Sequence, residues 1–214
     1  MDLTIRLDSH PLLEISAFIT RAAEPTARLP TPARTGALAT REGRAPFSTS
    51  DEVRTAVRDL LRHGGFKPAG RSKPASEYLA AAFAEDRFPR INALVDTCNV
   101  VSLHAGLPIS LVDVDRLEGA LAVRIAPPGT TYVFNPAGQV IDASGLVCLY
   151  DEAGPSGTPV KDAQRTKTGD DTRCTLSIVW GTRALPDRTA AVARWYRELV
   201  AEIAGASVLD VALA

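Results

Sequence analysis

The sequence predicts an α+β fold in which helices pack against an antiparallel or mixed, barrel-like sheet. Three observations carry this. Helix-period runs dominate the middle of the 214-residue chain, short β-rich runs separated by turn residues then follow with no helix between them, and an amphipathic run closes the pattern. With 45% hydrophobic and 23% charged residues, the chain supports one large core, so a single domain spanning residues 1–214 is expected.

The elements follow in order. Leu3 to Leu7 and Leu12 to Thr20 are apolar and β-branched runs around a turn at Asp8–Pro11, and read as strands. Between Glu24 and Thr49, Pro25, Pro30, Pro32 and Pro46 are scattered among Arg, Thr, Ala and Gly without an apolar period, which predicts a long loop. Thr49 with Glu52 fits a capping box ahead of Val53, Val57, Leu60 and Leu61, and Gly64 and Gly65 stop that helix. The run Gly65 to Ser72 approaches a phosphate-binding loop, but it follows a helix instead of a strand and contains Pro68, so it reads as a basic Gly/Pro loop. A second helix opens at Pro74 and runs through Tyr78, Leu79 and Phe83.

A third helix spans about Arg90 to Ala105, with Leu94, Cys98, Val101 and Ala105 on its apolar face. Asn92, Asp96 and Asn99 recur on another face at helical spacing. Such residues are mediocre helix formers, and three in register fit either a solvated face or the wall of a pocket. Strands are then expected at Ile109–Val114, Leu121–Ala126, Thr131–Phe134, Leu146–Tyr150 and Thr175–Trp180. Pro186 and Asp187 open the last helix, about residues 186–205. Its stripe Val192, Trp195, Leu199 and Ile203 faces the core, while Arg188, Arg194 and Arg197 face water.

The chemistry is first bounded by exclusion. Lys plus Arg number 24 against 25 Asp plus Glu, so any nucleic-acid contact depends on a local patch. Cys98, Cys148 and Cys174 are widely spaced, and His10, His63 and His104 are the only histidines. Buried structural thiols are expected, with no metal site and no cofactor. No apolar run is long enough for a membrane span and Met1–Asp8 carries no leader pattern, so a soluble, cytoplasmic protein is expected. The nucleotide-fold glycine fingerprint, zinc-protease and hydrolase-elbow patterns are all missing. The densest polar constellation is Lys161 to Thr168, followed by Asp170, Asp171 and Thr172. A loop between strands bearing alternating charges and hydroxyls is either a binding loop or a solvated hairpin.

The run Pro89–Arg–Ile–Asn–Ala–Leu–Val–Asp–Thr–Cys–Asn–Val–Val–Ser–Leu–His–Ala–Gly–Leu–Pro–Ile–Ser110, followed by Asp113, Gly119, Val123–Arg124 and Ala126, resembles the B3/B4 domain of the bacterial phenylalanyl-tRNA synthetase β chain. The stretch Lys161 to Thr168 with Asp171–Thr172 is similar to the corresponding loop of free-standing family members, and the resemblance is strongest over residues 66–180. It implies a six-stranded barrel with packed helices that hydrolyses tyrosine wrongly esterified to tRNA, and a free-standing copy that edits in trans. Ser110 stands where the family has a histidine, and Gln164 where it has the acid that reads the tyrosine hydroxyl. The resemblance further implies a polar pocket wall of Asn92, Asp96 and Asn99, with Asp162 serving the substrate ammonium or the attacking water. Arg165 and Thr166 would hold the ester or ribose, and Arg62, Lys67, Arg71 and Lys73 the tRNA backbone. The implied partner is the aminoacylated 3′ end of tRNA, with neither DNA nor membrane. The alternatives are a binding module that has lost hydrolysis and a hydrolase of another small ester.

Overall fold

In a computed structural model of the chain, residues 3–214 are described. Strands β1 (Thr4–Leu7) and β2 (Leu13–Ala22) come first, followed by the Pro-rich segment with its short helix α1 (Ala33–Leu38). Helices α2 (Asp51–Arg62), α3 (Ala75–Ala84) and α4 (Ala93–Ala105) precede strands β3 (Ile109–Asp113), β4 (Leu121–Ile125), β5 (Thr131–Val133), β6 (Val140–Asp142), β7 (Val147–Asp151), β8 (Gly154–Gly157) and β9 (Cys174–Thr182). Helix α5 (Arg188–Ala201) leads to β10 (Ala206–Asp210) and β11 (Ala212–Leu213).

The strands form separate sheets where a barrel was expected. One is five-stranded, ordered β11-β1-β4-β7-β8 with β1 parallel to both neighbours. A second is four-stranded and antiparallel, ordered β10-β2-β9-β3, and β5 and β6 make a two-stranded ribbon. Strand β9 sorts the interior by alternation: Leu176, Ile178 and Trp180 enter the apolar layer shared with the five-stranded sheet, while Val179 and Ser177 face the helices. Behind it, Val192, Trp195 and Leu199 of α5, with Ile203 just past its end, bury the predicted stripe with Leu94, Cys98 and Val101 of α4. Among the described residues no helix is long and apolar enough to cross a membrane.

Several local expectations change. The cap of α2 is Ser50, whose hydroxyl accepts from the Val53 amide at 3.2 Å. Thr49 instead sits against Gly106, the left-handed cap of α4, where a Cβ would lie 2.7 Å from the Thr49 hydroxyl. The Pro-rich segment is an ordered strap: Leu29 and Leu38 are buried in the helical core, Thr35 lies 3.4 Å from Thr97, and the Leu38 carbonyl meets the His104 ring at 2.8 Å. Arg188 does not face water but donates to the carbonyls of Ala105 and Ser48, tying α5 to α4 and the strap.

Candidate functional site at the joint between the sheets

The edges β3 and β8 approach without pairing, and the loop Thr158–Thr168 fills the joint between them. Thr158 shapes its first turn: its hydroxyl accepts from the Val160 and Lys161 amides at 3.2 and 3.0 Å and donates to the Lys161 carbonyl at 2.8 Å. Asp162 is thereby held between the two edges. Its Oδ1 accepts from the Thr158 amide at 2.9 Å, just past β8, and its Oδ2 from the Leu111 amide of β3 at 3.2 Å. Further along, Val112 and Lys167 form an isolated antiparallel bridge. One carboxylate does the work of a ladder between two sheet edges, and the barrel stays open there.

The Ser110 side chain is on the same face of β3 as Val112, inside the layer between the sheets. It is fully buried, accepts from Trp180 Nε1 at 2.8 Å and donates to the Thr158 carbonyl at 3.2 Å, next to the Asp162 carboxyl. Gly157 leaves the space above this pair open, since a Cβ there would stand 3.2 Å from Ser110 and 3.5 Å from Asp162 Oδ1.

The electrostatics follow from burial. Part of Asp162 reaches solvent while its carboxyl sits deep among protein atoms, so burial pushes its pKa up. The Ser110 hydroxyl, the Thr158 and Leu111 amides and Lys167 oppose that rise without cancelling it. No ion pair closes on this carboxylate among the described residues. Its charge adds to the burial that raises the Cys98 and Cys148 thiols and the Tyr132 hydroxyl. Lys167 is pulled down by burial, with Asp162 opposing and Lys161 assisting, and Lys161 is lowered by burial and Arg71.

The structure separates the sequence-predicted residues into groups. Asp162 and Ser110 meet, with half-buried Gln164 on the following turn; the Gln164 amide has no hydrogen-bond partner among the described residues. Arg165 and Thr166 lie on the same loop but are spent on the frame. Arg165 grips fully buried Asp151 through two bonds of 2.7 and 2.5 Å and reaches Gly154, Pro155 and Ser156, while Thr166 donates to the Ser156 carbonyl at 2.8 Å. Burial alone would raise the Asp151 carboxyl, yet Arg165 and the Glu118 and Ala153 amides hold it below the ordinary carboxylate range.

The expected polar wall on α4 also divides. Asn92 is the helix cap, accepting from the Val95 amide at 3.0 Å, and Asp96 accepts from the Ile91 amide at 2.7 Å and the Thr31 hydroxyl at 3.1 Å, which locks the strap to the helix. Both therefore hold the start of the helix, where Asn92 is extended and not helical. Half-buried Asn99 follows Cys98, the thiol that feels the Asp162 charge. Of the basic residues, Arg62 is paired with Asp59 at 2.7 Å, Lys67 and Arg71 are exposed, and the Lys73 ammonium lies 4.9 Å from the Tyr78 ring centre.

Sequence reasoning missed the aromatic partners. Phe134 carries the Lys167 ammonium at 3.7 Å and that of Lys161 at 4.6 Å, and Lys161 also lies 5.2 Å from the Tyr78 ring centre. Tyr78, Phe134 and the lysine loop come from separate elements, so only the lysines, within a polar run, offered a signal.

Fold and site together define an α+β domain, two main sheets and a small ribbon packed with helices, whose polar chemistry is gathered on one loop between two sheet edges. The model of the B3/4 domain matches residues 69–203, and the chain belongs to that family. It is 28% identical over 137 residues to the phenylalanine–tRNA ligase beta subunit of Leifsonia xyli, covering 61% of this chain and 16% of that subunit. It is 33% identical over 86 residues to the beta subunit of Dechloromonas aromatica, covering 40% of this chain and 11% of that one. Among solved structures, the N-terminal fragment of the phenylalanyl-tRNA synthetase beta subunit from Pyrococcus horikoshii superposes with a TM-score of 0.54 at 11% identity, covering 100% of this chain and 52% of that fragment. The chain thus spans a small part of the length of the curated relatives it matches.

Proposed function

We propose that the chain is a trans-acting deacylase that hydrolyses the ester of mischarged aminoacyl-tRNA. The observation that carries this reading is Asp162, a desolvated carboxylate that closes no ion pair among the described residues but feels the charge of Lys167, which with Lys161 is seated on the Phe134 ring. Ester hydrolysis needs a base near the operating pH and positive charge where the oxyanion develops. In this mechanism Asp162 takes a proton from water as the water oxygen bonds to the ester carbonyl carbon. Lys161 and Lys167 face the charge gathering on the carbonyl oxygen. Collapse breaks the bond to the ribose oxygen, which receives the proton from Asp162, releasing the amino acid and a tRNA with its terminal diol. Asn99 and Gln164 contact the amino-acid portion, Ser110 orients Asp162, and Arg165 and Thr166 keep the loop in place. Lys67, Arg71 and Lys73 meet the tRNA backbone.

The test is a deacylation assay on a panel of tRNAs carrying cognate and noncognate amino acids, with an Asp162→Asn variant whose fold is checked by circular dichroism. Selective release that falls about 10²- to 10⁴-fold in kcat with Asp162→Asn supports the reading. The acid limb of the wild-type pH profile should lie above the ordinary aspartate value, since burial raises Asp162. A second reading, a binding module without hydrolysis, draws on Ser110, whose hydroxyl is enclosed by Trp180, Thr158 and Asp162 and offers no imidazole-like base. Tight tRNA binding with no release for any amino acid would select it.

A further inference from the structure

The turn between β1 and β2 meets Arg183, just past β9, around a cavity of about 320 Å³. Its apolar lining includes Leu7, Leu13 and Ile15, and its polar lining includes Asp8, His10 and Arg183. None of these residues belongs to β3, β8 or the Thr158–Thr168 loop, and all but Arg183 precede the matched family region at 69–203. The cavity is therefore separate from the Asp162 recess and is built mainly by the N-terminal strands.

Each of the three polar side chains has bonding capacity left over. His10 is only 8% exposed and its ring is fixed: Nδ1 accepts from the Leu12 and Leu13 amides at 3.2 and 3.0 Å, and the His63 ring stands 4.5 Å away, centre to centre. Burial, then His63 and Arg183, lower the His10 pKa and keep the ring neutral. A ring nitrogen that accepts two amides carries no proton, so the proton of the neutral ring is on Nε2. Among the described residues Nε2 has no partner and is not sealed by its surroundings, which leaves an N–H donor in the cavity lining. Arg183 is anchored by its amide, which donates to the Leu12 carbonyl at 2.8 Å, while its exposed guanidinium closes no ion pair among the described residues. Asp8 is paired with Arg6 at 2.6 Å through Oδ1, and among the described residues its Oδ2 accepts nothing.

Such a lining selects by charge and by size. A simple carboxylate or a phosphate suits Arg183 and His10 but is repelled by Asp8, and a simple amine suits Asp8 but is repelled by Arg183. A zwitterion satisfies both charges, and the leucine and isoleucine side chains add an aliphatic surface. The volume of about 320 Å³ lies at the small end of ligand pockets and holds one amino acid. We propose that this cavity binds a free aliphatic α-amino acid, with its carboxylate on Arg183 and the His10 Nε2–H, its ammonium on Asp8 Oδ2 and its side chain against Leu7, Leu13 and Ile15. The site does not depend on the deacylase reading, since it shares no residue with that mechanism.

The test is calorimetric titration of the full chain with L-leucine, and with isocaproate and isopentylamine, which keep the leucine skeleton but lack the ammonium or the carboxylate. Variants Arg183→Gln, Asp8→Asn and Asp162→Asn are first checked for an unchanged circular-dichroism spectrum. Expected is saturable L-leucine binding that is equal in the wild type and Asp162→Asn, and about tenfold or more weaker in Arg183→Gln and in Asp8→Asn. Isocaproate should bind the wild type at least about tenfold more weakly than L-leucine and should gain affinity in Asp8→Asn. No saturable binding of L-leucine by the wild type overturns the proposal and leaves the deacylase reading standing. Binding that survives Arg183→Gln and Asp8→Asn but is lost in Asp162→Asn overturns it by placing the amino acid in the Asp162 recess. Isocaproate bound as tightly as L-leucine overturns it in favour of an organic-anion site.

Discussion

Replacing Arg165 with Ala discriminates between a residue that grips substrate and one that holds the frame. Arg165 closes a bidentate pair of 2.7 and 2.5 Å on Asp151, whose side chain is 0% exposed and whose other partners are the Glu118 and Ala153 amides, each at 3.0 Å. Truncation leaves a buried carboxylate with amide support only, which costs about 3–5 kcal/mol. For a chain of this size each kcal/mol lowers Tm by about 2–4 °C, so melting should fall by roughly 6–20 °C at neutral pH. The sign with pH follows from Asp151, whose pKa is depressed in the folded wild type. Its contribution is present above the unfolded value of about 3.9 and is lost as pH falls through the folded value. The variant lacks that depression, so the difference in Tm between the two proteins narrows in acid. Calorimetric melts at pH 7 and at about pH 2–3, below the unfolded value, measure both effects, and Arg165→Met with Asp151→Asn should recover part of the loss. A variant that melts with the wild type at pH 7 but shows a raised KM would refute the structural role.

Three further outcomes are expected. Gly157→Ala places a methyl group 3.2 Å from Ser110 and 3.5 Å from Asp162, and should abolish deacylation while costing about 1–3 kcal/mol in urea unfolding. Trp180→Phe removes the donor to the Ser110 hydroxyl and should destabilise by about 1–3 kcal/mol in the same assay. Burial pushes the Cys98 thiol up to about 12 and Cys148 higher still, so with a thiol reagent at pH 8 only half-buried Cys174 should react in the native protein and all three cysteines in denaturant.

Much of the architecture was legible because local patterns agreed with tertiary demands. The stripes of α4 and α5 and the alternation of β9 mark their buried faces directly. Strand β8 was not legible: Gly154–Pro155–Ser156–Gly157 carries turn chemistry, and it serves as a strand because it lies at a sheet edge, where proline's missing donor is tolerated. The strap reads as a long loop, and its order was not legible. Its order comes from two leucines and two threonines meeting α4 and α5, contacts that a proline-rich composition conceals. Within the site, the loop Lys161–Thr168 could be singled out by its polarity. Which of its side chains point to the recess could not, since Arg165 is claimed by a carboxylate that reads as an ordinary strand residue.

The pairing of β2 with β9 sets a condition on how the chain is made. Leu13 to Arg21 find their ladder partners only in Thr182 to Cys174, so the central hairpin-like pair of the larger antiparallel sheet joins segments from opposite ends of the sequence. At ~5–20 residues per second, an emerging β2 waits on the order of ten seconds for its partner. Over that interval its apolar residues, Phe18 and Ile19 among them, have no native cover, and closing so long a loop slows the search further. Strand β2 is thus the segment most exposed to chaperones and to mispairing during synthesis, and it becomes safe only when β9, in the last fifth of the chain, arrives.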